Sequence, residues 1–157
     1  MRKFVLFSFL IYILSSCTSV PKIISGQSNL IIRTIHRNSS SSNDYMYYKI
    51  HLSSDNVIKV STINKNTFVY NQNPGEYSTN SFEAVYIDSN KSGGSSPYLV
   101  SYKLEPNKTT IFPYQIIISF QGQNQYYNLQ ELTQNEKRMI IDELKKNKKY
   151  KDLVFSE

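Results

Sequence analysis

The chain has 157 residues and a net charge of +6, with 39% hydrophobic and 19% charged residues. This length suffices for one domain with its own core. The composition, with 13 Tyr, 8 Phe and a single Cys, argues against a disordered chain and excludes an internal disulfide framework and a zinc site built from several thiolates.

The N-terminal residues have the organisation of a secretory signal. Arg2 and Lys3 give a positive start, and an apolar run follows from residue 4 to residue 14, interrupted only by Ser8. A run of about eleven residues is shorter than the roughly 20 that a membrane span needs, but it has the length of a signal-peptide core. Residues 1–16 are therefore predicted to be a signal peptide.

The sequence Leu14-Ser15-Ser16-Cys17 at the end of this segment resembles the lipobox of bacterial lipoproteins. The resemblance implies that a diacylglyceryl group alkylates the Cys17 thiol. It also implies that a dedicated signal peptidase recognises Leu14, Ser15 and Ser16 and cleaves before Cys17. Palmitate-type chains of this kind, two or three in number, anchor a protein stably, whereas one chain binds only marginally. Thr18 follows Cys17, and in bacteria of the enterobacterial type this favours the outer membrane.

The remaining chain is predicted to be a tether, residues 17–28 including the lipidated Cys, followed by one domain, residues 29–157. Up to about residue 132, apolar and aromatic residues alternate with polar ones between turn residues. The predicted strands are 30–37, 46–52, 57–63, 67–70, 82–86, 97–104, 112–120 and 125–132. This pattern is typical of an antiparallel sandwich or barrel, and we expect a mainly β, antiparallel β-sandwich of about 7–8 strands, transthyretin- or immunoglobulin-like.

Two segments between the strands give more specific expectations. Residues 90–96, with Gly93-Gly94, predict a flexible loop. Alternation is clearest over residues 112–120, which predicts a central strand whose first residues are restricted by Pro113. The residues expected to face the core from this strand are Phe112, Tyr114, Ile116, Ile118 and Phe120.

The C-terminal part has a helical pattern. Thr133 and Glu136 form a capping box, and Ile140, Ile141 and Leu144 recur at helical spacing. One C-terminal α-helix is therefore predicted over about residues 134–147. The apolar residues after it are expected to dock the tail on the sandwich; they are Tyr150, Leu153, Val154 and Phe155.

Residues 66–120 carry a second resemblance. The turn Pro74-Gly75-Glu76-Tyr77, the strand that begins at Phe82, the segment from Tyr102 to Lys108 and the isoleucine-rich strand ending at Phe120 are similar to transthyretin-like and carboxypeptidase-regulatory-like lipoprotein domains. In this chain, Asn107 stands where those domains usually have Gly. The resemblance implies a sandwich fold.

No catalytic, metal or cofactor site is predicted from the sequence. The two histidines, His36 and His51, lie in separate predicted strands without carboxylates at ligand spacing. Phosphate-binding glycine motifs and a serine-nucleophile elbow do not occur in the sequence. A sugar-cleaving enzyme needs two carboxylates at one site, and the candidate pairs are Glu76 with Glu83 and Asp142 with Glu143. Nothing in the sequence places either pair in an apolar pocket.

Two surface features remain. A basic cluster consists of Lys145, Lys146, Lys148, Lys149 and Lys151. Its lysines either contact an anionic surface, of lipid headgroups or acidic cell-wall polymers, or form a solvated helix end favoured by the helix dipole. The tyrosines Tyr45, Tyr47, Tyr126 and Tyr127 either form an exposed aromatic strip for a glycan or protein, or reflect ordinary strand propensity.

These features together predict a lipoprotein of the cell envelope, held at the membrane through its N-terminal lipid anchor and acting as a noncatalytic binding or structural module of the periplasm or cell surface. One alternative is an accessory lipoprotein of a secretion or envelope assembly machine, with an envelope protein as its partner. Another is a surface adhesin or host-interaction lipoprotein. Nucleic acid is not an expected partner, since an exported protein does not meet it.

Overall fold

The computed structural model of the protein describes residues 23–37, 46–86, 92–121 and 124–156. The predicted signal peptide, Cys17 and the first part of the predicted tether lie outside these residues. The described part contains ten strands in two sheets and one helix. They are β1 (Ser28–Arg37), β2 (Met46–Leu52), β3 (Val57–Ser61), β4 (Asn66–Gln72), β5 (Gly75–Tyr86), β6 (Ser92–Pro97), β7 (Ser101–Leu104), β8 (Thr109–Ile111), β9 (Tyr114–Gln121), β10 (Asn124–Glu131) and α1 (Gln134–Lys146).

The first sheet has the order β10-β9-β1-β4, with β8 also paired to β1. Strand β1 runs antiparallel to β4 but parallel to β8 and β9. Strands β8 and β9 follow one another along the same side of β1 and are separated by Phe112 and Pro113. This break agrees with the expected restriction, because proline has no N–H group for the ladder.

The second sheet has the order β3-β2-β5-β6, with β7 also paired to β5, and all of its pairs are antiparallel. Strands β6 and β7 follow one another along the same edge of β5. The ten described strands therefore occupy eight positions in the two sheets. The predicted β-sandwich with one C-terminal helix is confirmed, and the parallel pairing of β1 is a feature that the alternation of residues does not reveal.

The prediction of a loop over residues 90–96 is wrong for residues 92–96. Ser92–Pro97 form β6 and pair with β5, whereas the chain is irregular at residues 98–100, inside the predicted strand 97–104. Glycine and serine have low strand propensity, so the sequence does not indicate a strand there. The unpaired backbone edge of β5 supplies the hydrogen bonds that hold this segment extended.

The main core lies between the two sheets. It combines side chains of the first sheet, such as Leu30 and Ile116, with side chains of the second, such as Tyr48 and Phe82, all 0% exposed. Phe112 joins them through an edge-to-face contact with Tyr102, with ring centroids 5.3 Å apart. The predicted inward direction of the β9 residues is confirmed for Ile116 and Ile118, both in this core; the side chain of Phe120 is outside the described part.

A second, smaller core lies on the other face of the first sheet, where α1 packs. Its buried members are Ile31, Ile111, Leu132, Ile140 and Leu144. The first sheet is thus buried on both faces near the start of β1. This explains why Leu30, Ile31 and Ile32 form an uninterrupted apolar run, each 0% exposed.

The helix and the tail follow the predictions closely. Thr133 and Glu136 form the expected capping box, and the helix ends one residue before the expected Asn147. The docking of the tail is confirmed for Tyr150, whose ring stacks on Phe68 with centroids 4.7 Å apart, and for Phe155 in the second core. Val154, in contrast, is 58% exposed.

Candidate functional site

The chain before β1 and the chain after α1 meet at one end of the first sheet. Ser28 pairs with Gln72 and Asn29 pairs with Thr109, so the starts of β1 and β8 lie beside the end of β4. We call this end the base. It comprises residues 23–27, 71–73, 105–109 and 147–156.

The N-terminal side of the base is held by two asparagines. The Ile24 N–H group donates to Asn71 Oδ1 at 3.0 Å, and the Gly26 N–H group donates to Asn107 Oδ1 at 2.8 Å. Both asparagines have positive φ, 53° and 62°, in the left-handed region that asparagine tolerates better than most residues. The Asn107 N–H group also donates to the Gln27 carbonyl oxygen at 2.7 Å. Within the predicted tether, Ile24, Gly26 and Gln27 are thus hydrogen-bonded to the domain.

The C-terminal side of the base is held by a short backbone pairing. The Thr109 N–H group donates to the Val154 carbonyl oxygen at 2.7 Å, and the Ser156 N–H group donates to the Thr109 carbonyl oxygen at 3.1 Å. Two aliphatic side chains of the base remain open to solvent, Val154 at 58% and Ile24 at 56% exposure. The two ends of the described chain therefore both lie at the base and both present an apolar side chain there.

The predicted lysine cluster belongs to this end of the molecule. Lys145 and Lys146 lie in the last turn of α1, and the other three lysines follow the helix. The Nζ atom of Lys145 is 5.8 Å from the ring centroid of Phe155, and that of Lys149 is 5.6 Å from the ring centroid of Tyr150. All five lysines are exposed. The structure thus places Lys145 and Lys149 beside aromatic residues of the tail, whereas Lys146 lines a groove between α1 and the first sheet together with Arg33 and Ile35.

Acidic groups also occur at the base, but they are outnumbered. The segment from Lys145 to Lys151 contains no acidic residue, and Asp152 follows it. On the neighbouring turn, the Glu105 carboxylate pairs with the Lys108 ammonium group. A hydrogen bond from Lys108, and its charge, lower the pKa of Glu105. The carboxylate of Glu105 is therefore engaged by its own turn, and the lysine cluster keeps its positive character.

The two histidines lie on different sheets. His36, on the first sheet, contacts the carbonyl oxygen of Thr62 through Nε2. His51, on the outer face of the second sheet, lies 2.9 Å from Glu83 Oε2, and Lys49 approaches the same oxygen at 3.4 Å. The hydrogen bond from His51 and the charge of Lys49 lower the pKa of Glu83. This arrangement is a cross-strand polar cluster on an open sheet face.

Two carboxylates of α1 make structural contacts, one as part of the helix cap and one in salt bridges. The Glu136 carboxylate accepts a hydrogen bond from the Thr133 N–H group at 2.8 Å. The Glu143 carboxylate pairs with Arg33 at 3.1 Å and with Lys65, and hydrogen bonds from both lower its pKa. The sequence does not predict this bridge, because no local pattern indicates that α1 contacts β1.

An open groove of about 460 Å³ lies between α1 and the first sheet. Its lining includes Ile35, Gln115 and the exposed Met139, together with the carboxylates already described. The sequence does not predict this groove, since its two walls are more than 100 residues apart in the chain at Ile35 and Met139. The weak signal that was available is Met139, an apolar residue beside the buried stripe of the helix.

The tyrosines singled out in the sequence are divided between two faces. Tyr47 lies on the outer face of the second sheet, where Lys59 Nζ is 5.6 Å from its ring centroid. Tyr126 is 48% exposed, whereas its neighbour Tyr127 packs against Tyr48 in the interior at 5.2 Å. The expectation that one member of this pair faces outward is confirmed. Tyr45 lies outside the described residues, and Tyr47 and Tyr126 lie on different sheets.

Comparison of the chain with protein-family models, with curated proteins and with solved structures found no match. Among the described residues, no group of three or more histidine, cysteine, aspartate and glutamate side chains is arranged to hold a metal ion. The helix found in the same residues is neither long nor apolar enough to cross a membrane.

Proposed function

We propose that the protein is a lipid-anchored lipoprotein of the bacterial cell envelope, whose sandwich body is a noncatalytic binding or structural module. The observation that carries the proposal is Leu14-Ser15-Ser16-Cys17 directly after a positive start and a short apolar segment. Each part has its own physical role: export, access to a narrow peptidase pocket, and a sulfur nucleophile that accepts the lipid. Their order in this chain is the order that the processing reactions require.

The arrangement of the body supports an anchor at this position. At Ile24 the chain is hydrogen-bonded to the domain through Asn71. Seven peptide bonds separate Cys17 from that residue. The body has a main core between its sheets and a second core under α1. A lipid at Cys17 therefore leaves these packed layers undisturbed while it keeps the body at the membrane.

The proposed absence of catalysis is supported by what the polar groups do. Glu136 caps α1, Glu143 joins α1 to the first sheet, and Glu83 pairs with His51 and Lys49. A catalytic carboxylate pair needs two such groups converging on one substrate site. Glu83 lies on the outer face of the second sheet, whereas Glu136 and Glu143 belong to the helix on the first sheet.

Metabolic labelling with a palmitate analogue tests the anchor. We expect the wild-type protein to be labelled, and a signal-peptidase inhibitor such as globomycin to cause a larger precursor to accumulate. The Cys17→Ser variant should be unlabelled and keep its leader, whereas the matched control Ser19→Ala should be processed as the wild type. An unlabelled wild type with a free Cys17 thiol would overturn the proposal.

Protease treatment of intact cells then distinguishes a surface location of the protein from a periplasmic one. Degradation of the labelled protein on intact cells supports a surface role such as adhesion or host interaction. Protection until the envelope is permeabilised supports a periplasmic role such as an accessory of an assembly machine. Crosslinking in the same cells tests the second role directly, because it predicts one stoichiometric partner.

A further inference from the structure

We propose that the base faces the bilayer that holds Cys17, and that the lysine cluster binds anionic phospholipid headgroups of that bilayer. This inference rests on the proposed lipid anchor and adds an orientation to it. The body would stand with its base at the membrane and with the turn between β3 and β4, residues 62–65, directed away. The observations that carry it are the position of Ile24, the exposure of the lysines and the apolar side chains beside them.

The length of the linking chain limits how far the base can be from the membrane. Cys17 would be at the bilayer surface, and Ile24 is fixed to Asn71 at the base. The seven peptide bonds between them span at most about 25 Å, because an extended residue covers no more than about 3.6 Å. This limit applies to the base and not to the opposite end, since β1 and β4 separate the two ends along their length.

The charge of the base favours the approach to an anionic surface. Three exposed lysines belong to the base, Lys148, Lys149 and Lys151, and Lys145 and Lys146 precede them in the last turn of α1 without an acidic residue between any of the five. Electrostatic attraction is screened over about 8 Å at physiological ionic strength. In some of the orientations that the tether allows, the lysine ammonium groups lie within this distance of the bilayer surface. An anionic bilayer then favours those orientations.

The helix dipole does not account for the whole cluster. It favours cations in the last turn of a helix, which covers Lys145 and Lys146. The helix ends at Lys146, so the remaining three lysines lie beyond it; they are Lys148, Lys149 and Lys151. Their presence at the same end as the N-terminal tether is a separate observation that requires another explanation.

The apolar side chains at the base match the chemistry of a headgroup region. Ile24 and Val154 are more than half exposed. Farther along the first sheet, Lys149 lies over the ring of Tyr150, which stacks on Phe68, the register partner of Ile31. Side chains with an apolar stem and a charged end, together with aromatic rings, suit the boundary between water and hydrocarbon. The base thus presents exposed apolar side chains and lysines at the end of the domain to which the tether is attached.

The orientation is tested with the full-length lipidated protein reconstituted in vesicles of phosphatidylethanolamine and phosphatidylglycerol. Two variants each carry a fluorescent label on one introduced cysteine, the only free thiol once Cys17 is lipidated: Asp152→Cys at the base and Ile63→Cys at the opposite end. Both positions are exposed, Ile63 at 68%. A quencher attached to lipid headgroups reports the distance of each label from the bilayer. We expect quenching at position 152 to be at least threefold stronger than quenching at position 63.

Charge reversal tests the contribution of the lysines. The triple variant Lys148→Glu, Lys149→Glu and Lys151→Glu should lose most of the excess quenching at position 152, and so should the wild type in vesicles of phosphatidylcholine alone. The matched control reverses three cations away from the base, Lys59→Glu, Lys137→Glu and Arg138→Glu, and has the same net charge. We expect this control to retain the excess.

Equal quenching at positions 152 and 63 would overturn the inference, and so would an excess that survives charge reversal and neutral lipid. A change in the fluorescence of the label at position 152 on addition of an acidic polymer, with no quenching by the lipid headgroups, would also overturn it. These results are distinguishable from failure of the lipid anchor, because only protein shown by mass spectrometry to carry the lipid on Cys17 is reconstituted.

Discussion

Arg33 on β1 and Glu143 on α1 meet at 3.1 Å, and Lys65 pairs with the second oxygen of the same carboxylate. This bridge joins the helix to the first sheet and to the turn before β4. Because the Glu143 side chain is 45% exposed, solvent screens its charge. The bridge therefore orients the helix more than it stabilises the fold.

The Glu143→Gln variant should lower the free energy of unfolding by less than about 1 kcal/mol at pH 7. Hydrogen bonds from Lys65 and Arg33 lower the pKa of Glu143 in the folded protein. The stabilisation is therefore fully present above the pKa of the unfolded chain, about 4.3, and is lost as the pH falls through the lower folded value. Urea unfolding should show a smaller difference between wild type and variant at pH 3 than at pH 7.

Asp142→Asn is the control for this prediction, since it removes one negative charge from the adjacent position of the same helix. It should leave the unfolding free energy within about 0.5 kcal/mol of the wild type at both pH values. A difference for Glu143→Gln that persists unchanged at pH 3 would show that its origin is not the charge.

The second core should be sensitive to the apolar side chains that α1 buries in it. Ile140 is 3% exposed, whereas the adjacent Met139 is 70% exposed. We expect Ile140→Ala to lower the free energy of unfolding by about 2–4 kcal/mol through lost burial and a cavity, and Met139→Ala to change it by less than about 0.5 kcal/mol. Urea unfolding of both variants measures this, and equal effects would contradict the assignment of the helix face.

The N-terminus of α1 should depend on its cap. In Thr133→Ala the Glu136 N–H group loses its acceptor, the Thr133 hydroxyl oxygen at 3.3 Å. The expected cost is about 1 kcal/mol. Thr133→Ser keeps the hydroxyl group and should recover most of this loss. Far-UV circular dichroism and urea unfolding report the two variants, and an alanine variant as stable as the serine variant would contradict the role of the cap.

The left-handed conformation of Asn107 and its side-chain contact can be separated by two substitutions. Asn107→Gly keeps the conformation but removes the acceptor of the Gly26 N–H group, so it should cost about 1 kcal/mol. Asn107→Ala loses the acceptor and also strains the backbone at φ 62°, which should add about 1 kcal/mol.

Hydrogen exchange provides the second readout for these variants. The Gly26 amide should exchange faster in both than in the wild type, because both release the N-terminal side of the base. The free energy of unfolding should be higher for Asn107→Gly than for Asn107→Ala. An alanine variant at least as stable as the glycine variant would show that the left-handed geometry is not maintained.

The local elements are the part that the sequence predicted well. Alternation located β2, β9 and β10, and the Thr133–Glu136 box located the start of α1, because each signal is contained within a few neighbouring residues. The leader and Cys17 are likewise read from a contiguous segment, and their function stays a prediction until labelling tests it. These features need no information about distant parts of the chain.

Other features depend on which segments meet, and only the tertiary structure decided them. Ser92–Pro97 became a strand because the edge of β5 was unpaired, not because of its own residues. The parallel pairing of β1, the Arg33–Glu143 bridge and the Gly26–Asn107 hydrogen bond at the base join residues that are 80 or more positions apart. Residue periodicity specifies which face of a strand is apolar but not which strand lies beside it. Neighbours are selected by backbone hydrogen bonding and packing of the whole chain.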